Sequence, residues 1–496
     1  MKLLKSVIKS PHRKLAVAFI ILLTSVAGTF AQTGNSIFND SILHIIEFEN
    51  VDVSQISIPY YKGIYQSVAM KIDGNVLSQV GLTTKGQKSY AAAQYDKRPF
   101  KIKTDKYIPG QKYNGIKRFN LHNNTYDNSV IREKLTCDAA LQLGIPAPKV
   151  AFAEVYINGN YWGVYTIVEA QDEIYKRTFG DNDGYAMESF GSEAHLDNMF
   201  YYGSKPEDYQ EQYIVDHGND SVAWSLWINA LYKIHTLPPR VAYVDSVSNY
   251  IDYQSFFSFN AVLDYNLNAE SKNRNGIYYF NQTDKKWYTI CWDQNVSFPD
   301  FGDPSQNEFP NTQLTGLLDK YSTYSQFTQA YNKTLCQLTN IIFTDLEVNA
   351  KITAYRNLID AAVEKDTRKS FTQKQYEQSF NDLRYFIQQR NKVVFEFLKD
   401  IEYSCTTSGL DLELKKQEIQ IFPVPANSFL NVVDPMNRNL DFSIINTVGT
   451  KILAGQVQNS QINISFLPSG IYVLVITHEN KPLKVRKIIR SMSPNQ

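Results

Sequence analysis

The sequence predicts an α+β body, β-rich at first and mainly helical later, followed by a small all-β Ig-like sandwich. Three observations carry this. Short apolar runs broken by turn residues fill the chain up to about Val80, apolar residues take helical spacing from Leu314 to Leu398, and evenly spaced short strands resume after Thr406-Thr407-Ser408-Gly409. A chain of 496 residues holds two or three domains, since domains run at ~100–200 residues each.

The early strands are Leu43 to Phe48 and Val68 to Ile72, the second closed by Asp73-Gly74-Asn75. Pro99-Phe100-Lys101-Ile102-Lys103 alternates apolar and cationic residues, which sets Phe100 and Ile102 on a core face and both lysines on a polar one. Asp127 or Asn128 caps a helix whose apolar positions Ile131, Leu135, Ala139 and Leu143 recur every four residues, and Gly144 with Pro146 ends it. Val150 to Ile157 and Tyr161 to Val168 form a hairpin around Asn158-Gly159-Asn160, because a left-handed turn favours Asn and Gly. A second hairpin pairs Gly276 to Phe280 with Lys286 to Cys291 across Asn281-Gln282-Thr283-Asp284. In the later part Leu383, Phe386, Ile387, Val393, Val394 and Phe397 keep helical spacing. Ile419 to Phe422, Phe429 to Val433, Ile462 to Phe466 and Gly470 to Thr477 are the strands of the sandwich.

Lys plus Arg total 50 and Asp plus Glu total 50, so no basic field exists to hold nucleic acid. The 33 Tyr and 28 Phe suit strand-rich and extracytoplasmic proteins. Lys2, Lys5, Lys9, Arg13 and Lys14 precede the apolar run Leu15 to Ala27, and Thr29-Phe30-Ala31 supplies small residues before Gln32. This pattern reads as a signal peptide over residues 1–31, cleaved after Ala31. The competing reading is a membrane anchor, but the run falls short of the ~20 apolar residues that a spanning helix needs. No later segment is apolar enough to span, so the mature chain is expected to be soluble or tethered by other means. The four cysteines, Cys137, Cys291, Cys336 and Cys405, form no close zinc or redox pair. Cys137 and Cys291 are expected to be packed core thiols, and no bridge is assigned.

Leu121-His122-Asn123-Asn124, Asp127-Asn128-Ser129, Arg132-Glu133-Lys134-Leu135, Leu143-Gly144-Ile145-Pro146-Ala147-Pro148 and Val155 to Tyr165 resemble, in order and spacing, the CotH kinase family. Asn275-Gly276-Ile277-Tyr278-Tyr279-Phe280, Lys286-Trp287 and Cys291-Trp292-Asp293 resemble the stretch that ends in the family's Trp-Asp-x-Asp motif, and a late helix with Arg390 fits the pattern. The resemblance covers roughly residues 40 to 400. It implies a divergent bilobal protein-kinase-like fold, with a β-rich N-lobe and a mainly helical C-lobe, that binds ATP and Mg and phosphorylates an unknown protein acceptor outside the cytoplasm.

Phosphoryl transfer needs a cation on the phosphates, carboxylates on the metal and an acidic group near the attacking hydroxyl. The phosphate-binding lysine is Lys101 or Lys103, with Gly86 in Thr83-Thr84-Lys85-Gly86-Gln87 as a loop that could approach phosphates; the alternative is a solvated strand face. Glu133 is placed to pair with such a lysine, and Glu169 lies by resemblance near the adenine or only orients the hinge. Asp293 is the metal ligand, joined by Asn275 and Asn295, or else it caps the next turn. Asn295 stands where the family has a second aspartate, and it brings no charge. Glu270 stands where the family has an aspartate near the acceptor, and Asp264 is its rival for that role. These departures carry the second hypothesis, a catalytically weak pseudokinase that serves as a surface scaffold or binding module. The third is a glycan-binding surface protein with Trp162, Tyr201 and Tyr202 as aromatic platforms.

Phe422-Pro423-Val424-Pro425-Ala426, Gly470-Ile471-Tyr472-Val473 and Lys484-Val485-Arg486-Lys487-Ile488-Ile489 resemble the type A sorting domain of type IX secretion. The resemblance implies the type IX secretion machinery as a partner and a secreted or outer-membrane cell-surface location. The expected organisation is a signal peptide at 1–31, a kinase-like domain at 32–405, a linker at 406–417 and a sorting domain at 418–496.

Overall fold

The computed structural model describes residues 36–58, 63–190, 199–239, 242–268, 270–271, 274–300, 302–307, 309–310 and 316–405. Beyond these it describes 419–422, 426, 428–434, 438–446, 450–458, 460–478 and 481–490. The expected signal peptide, the linker at 406–417 and Pro423 to Pro425 lie outside the described residues.

The first seven strands are β1 (Leu43–Glu49), β2 (Gln66–Ile72), β3 (Asn75–Thr84), β4 (Phe100–Lys103), β5 (Arg118–His122), β6 (Val150–Ile157) and β7 (Asn160–Glu169). They close into a barrel in the order β1-β2-β3-β4-β5-β7-β6. Closure comes from β1 lying parallel to β6, with Ile46 opposite Val155. The alternation read in the sequence faces the barrel interior: Ile46, Phe48, Phe100, Ile102, Phe119, Val155 and Ile167 are buried in one cluster. Lys101 and Lys103 therefore fall on the outer face of β4, Lys101 exposed and Lys103 half-buried.

Between β5 and β6 runs the helix Arg132–Gln142. It begins a few residues later than the sequence suggests. Its cap position is Ile131 rather than Asp127 or Asn128, and the Asp127 carboxylate supports the first turn from outside by accepting from the Arg132 backbone N–H at 2.8 Å and from the Ser129 backbone at 2.9 Å. After the barrel, β8 (Tyr185–Ser189), β9 (Tyr213–His217), β10 (Ile277–Asn281) and β11 (Lys286–Ile290) form an antiparallel sheet in the order β11-β10-β8-β9. The helices Asp220–Thr236, Tyr253–Asn266, Ser325–Gln337, Asp345–Glu364 and Gln373–Asp400 bury Trp227, Phe257, Phe327, Ile359, Phe380 and Leu383 in the largest core. A disulfide joins Cys336 to Cys405 across 69 residues of sequence, tying the Ser325–Gln337 helix to the chain just past the Gln373–Asp400 helix.

The barrel is fastened to the helices by a buried ion pair. Lys97 Nζ lies 2.6 Å from Asp366 Oδ2, and both side chains are almost wholly buried. The same carboxylate accepts from the backbone of Val164 at 3.0 Å and of Arg368 at 2.9 Å. Gly163 leaves room for it, since a Cβ there would lie 2.5 Å from Asp366 Oδ2.

The last strands form two sheets, β12-β13-β16 and β15-β14-β17-β18, with β12 at Gln420–Phe422, β13 at Phe429–Val433, β14 at Asp441–Asn446, β15 at Lys451–Gln456, β16 at Gln461–Asn463, β17 at Gly470–His478 and β18 at Lys481–Arg490. One apolar cluster that includes Ile421, Leu430, Ile462, Ile444, Leu474 and Ile488 draws on both sheets.

Lys97→Met strands the Asp366 carboxylate in the interior, and removing one partner of a buried pair costs about 3–5 kcal/mol. The urea midpoint of the variant should fall accordingly, with the slope of the transition unchanged.

Candidate functional site

The end of β3, the end of β5, the Arg132–Gln142 helix and the turn after β11 bring a charged group together. Lys85, the residue after β3, sends Nζ to within 2.8 Å of His122 Nε2, and His122 Nδ1 lies 2.7 Å from Glu133 Oε2. The ammonium also sits over the Trp292 ring, 5.7 Å from its centre. Burial pushes the Lys85 ammonium below the usual lysine range, while the fields of Asp293 and Glu133 oppose that fall. Glu133 is buried, and its second oxygen, Oε1, has no hydrogen-bond partner among the described residues.

Asp293 directly follows the Trp292 whose ring faces this group. Burial raises its carboxyl first; Glu133 raises it further, His122 and Lys85 oppose, and Glu270 adds to the rise. Its Oδ2 accepts from the Asn275 amide at 2.6 Å. Both residues are left-handed, Asp293 at φ 54 and Asn275 at φ 63, a conformation that costs about 1–3 kcal/mol for a residue with a Cβ and persists only where its surroundings hold it. Here they do. The Asp293 carbonyl accepts from Ser271 Oγ at 2.7 Å and from the Asn268 amide at 3.3 Å, and Gln294 Nε2 donates to the Trp292 carbonyl at 2.6 Å.

On the neighbouring sheet Glu188 is half-buried at β8, facing Asp216 of β9, Lys85, Asp293 and Lys101. Burial, then Asp216, push its carboxyl up to about 7; the two lysines oppose and Asp293 adds. Lys101 likewise counters the burial that raises Asp216. The Lys101 ammonium makes no hydrogen bond or ion pair among the described residues. The helix carrying Glu133 is pinned to the turn after Asp293 by Arg132, which pairs with Asp300 and Asp127.

Of the residues chosen from sequence, Glu133, Asn275 and Asp293 join this group directly, and Lys101 and Glu270 lie within its field. Glu270 is held by Lys88 at 2.9 Å. Asn295 is half-buried two residues past Asp293. Lys103 stands at the other end of β4, opposite Arg118. Two candidates are engaged elsewhere. Glu169 is buried and paired with Arg177 at 2.8 Å, and its carboxylate also accepts from the Lys149 backbone at 3.0 Å. Asp264 is buried in the helical core, where Tyr331 donates to it at 2.6 Å and Arg390 donates to its carbonyl at 2.9 Å. Trp162 is no open platform: it is 4% exposed, with the Arg368 guanidinium 3.9 Å from its ring centre. Lys85, His122 and Glu188 were given no role from sequence, although Lys85 and His122 sit inside motifs already singled out.

A magnesium ion keeps several waters and takes one or two carboxylates with amide oxygens and phosphates. Asp293 crowded by other carboxylates, the Asn275 amide beside it, and the unpartnered Glu133 Oε1 are donors of the kind such a cation takes. Among the described residues no three His, Cys, Asp or Glu converge as a metal cage. Nor is any described helix long and apolar enough to cross a membrane.

Residues 82–394 match the family model described as CotH kinase protein, and residues 420–491 match a secretion system C-terminal sorting domain. The chain is similar to inner spore coat protein H of Bacillus subtilis, 23% identical over 296 residues, which cover 58% of this chain and 79% of that protein. The crystal structure of the Helicobacter pylori proinflammatory kinase CtkA matches 61% of this chain and 93% of its own at 12% identity and a TM-score of 0.26.

The raised Glu188 carboxyl means that the folded state holds its proton more tightly than the unfolded chain does. That contribution is present below the ordinary glutamate range and is lost as pH rises through about 7. Relative to Glu188→Gln, the parent protein should therefore lose up to about 3 kcal/mol of unfolding free energy between pH 4.5 and 8, read by urea unfolding across that range.

Proposed function

The chain belongs to the CotH kinase protein family, and we propose that it is an ATP- and magnesium-dependent protein kinase acting outside the cytoplasm. The sorting domain at 420–491 marks it for secretion or cell-surface attachment. The observation that carries the kinase reading is the shared electrostatic environment of Lys85, at the end of β3, and Asp293, after β11. On this reading the barrel and the helical part correspond to the two lobes of a kinase, and the last two sheets to an Ig-like sorting sandwich handed to the type IX secretion machinery.

Each residue has a task. Lys85 is fixed by His122 and Glu133 and sets a rigid positive charge beside the phosphates, while Lys101, exposed on the outer face of β4, offers a second one. Asp293 would hold the magnesium together with Asn275 and Asn295, and the bound ion would neutralise charge on the transferring phosphoryl group. Glu270 is the acidic side chain nearest the role of orienting the acceptor hydroxyl, and releasing Lys88 would free it.

A second reading is favoured by a specific observation. Asn295 brings no charge where a second metal-binding carboxylate is expected, and Glu270 is held in its ion pair with Lys88. A chain so equipped would bind nucleotide weakly and serve as a surface scaffold.

Mg·ATP at millimolar concentration should raise the melting temperature of the full chain, because a ligand of the folded state alone stabilises it. Label from ATP should pass to protein, and Asp293→Ala should cut that transfer by about 100-fold or more. The absence of both a shift and transfer in the parent chain would overturn the kinase reading. If Asn295→Asp with Glu270→Asp then switches transfer on, the scaffold reading stands.

A further inference from the structure

Two buried thiols meet behind the charged group. Cys137 lies on the Arg132–Gln142 helix one turn beyond Glu133, on the same face. Cys291 closes the strand that leads through Trp292 to Asp293. Both residues are fully buried, Cys137 shares one apolar cluster with Ile290 and Trp292 on either side of Cys291, and after burial itself Cys291 is the group that most raises the Cys137 thiol. The backbones converge as well, since the Cys291 N–H donates at 2.7 Å to the carbonyl of Pro146, just past the end of that helix. The other two cysteines are already joined to each other, so Cys137 and Cys291 have only one another as partners.

We propose that in the exported protein Cys137 and Cys291 form a second disulfide, a covalent latch between the helix that carries Glu133 and the strand that delivers Asp293. The sorting domain directs the chain to compartments in which disulfides persist, and the Cys336–Cys405 bond shows that the fold is built to use them. The oxidant is the disulfide of an exported thiol–disulfide oxidoreductase. The thiolate of Cys137 attacks one carrier sulfur and expels the other as a thiol; the thiolate of Cys291 then attacks the mixed disulfide at the Cys137 sulfur. The new S–S bond replaces the carrier's, both protein thiol protons end on carrier thiols, and the carrier gains the two electrons.

The timing follows from burial, which pushes the Cys137 thiol up and leaves it a poor nucleophile once the helix has docked. The bond therefore closes while the helix and the hairpin are still approaching. Once made, it is shielded from reductants by the same packing. The latch fixes the spacing of Glu133 and Asp293 from behind, and it stands whether or not the chain transfers phosphate.

The test uses the full chain exported by a bacterial host. The protein is denatured without reductant, alkylated with iodoacetamide, digested and analysed by mass spectrometry. The latch requires no adduct on any cysteine and a peptide pair linking Cys137 to Cys291, with Cys291→Ser exposing Cys137 to alkylation. Adducts on Cys137 and Cys291 in the parent chain would overturn it, as would a link from either one to Cys336 or Cys405.

Discussion

A lysine ammonium taken out of water must be given back its polar surroundings, and Lys85 is the point at which this fold meets that demand. Its hydrogen bond goes to the His122 ring rather than to a carboxylate, and the charge that steadies it comes from Glu133 behind the ring and from Asp293 across the group. Four separate parts of the chain must therefore arrive together: the ends of two strands, the first turn of a helix and the turn past a hairpin. Arg132 with Asp300, Asn275 with Asp293, and Ser271 with the Asp293 carbonyl hold them in register. Misplacing any of these would leave a buried charge uncompensated, which couples the stability of the body to the geometry of the site.

Much of the architecture was legible because it is local. Asn158-Gly159 announced its hairpin, alternation over Phe100 to Lys103 assigned the faces of β4, and the helical spacing after Leu314 was real. Closure of the barrel was not legible: the parallel pairing of β1 with β6 joins segments far apart in sequence, and turn chemistry encodes only antiparallel neighbours. The helix Tyr253–Asn266 also gave little signal, because it is buried on nearly every side from Ser255 to Asn266 and so shows no polar stripe. Cys336 and Cys405 could not be paired from spacing, since the pairing depends on how the helices pack.

The site divides along the same line. Glu133, Asn275 and Asp293 were visible as side chains in recognisable motifs. Lys85 and His122 stood in those motifs too, yet a lysine before a glycine reads as a solvated turn until tertiary packing encloses its ammonium. Glu169 and Asp264 failed for the complementary reason: each is a buried acid satisfied by a partner, Arg177 or Tyr331, from an element whose approach no local pattern foretells.

The closed barrel has one further consequence. Each of its seven strands has a neighbour on both sides, so its backbone donors and acceptors are consumed within the ring. At a crowded cell exterior, where loose strand margins invite stray pairing and fibre growth, this barrel offers passing chains no template to extend.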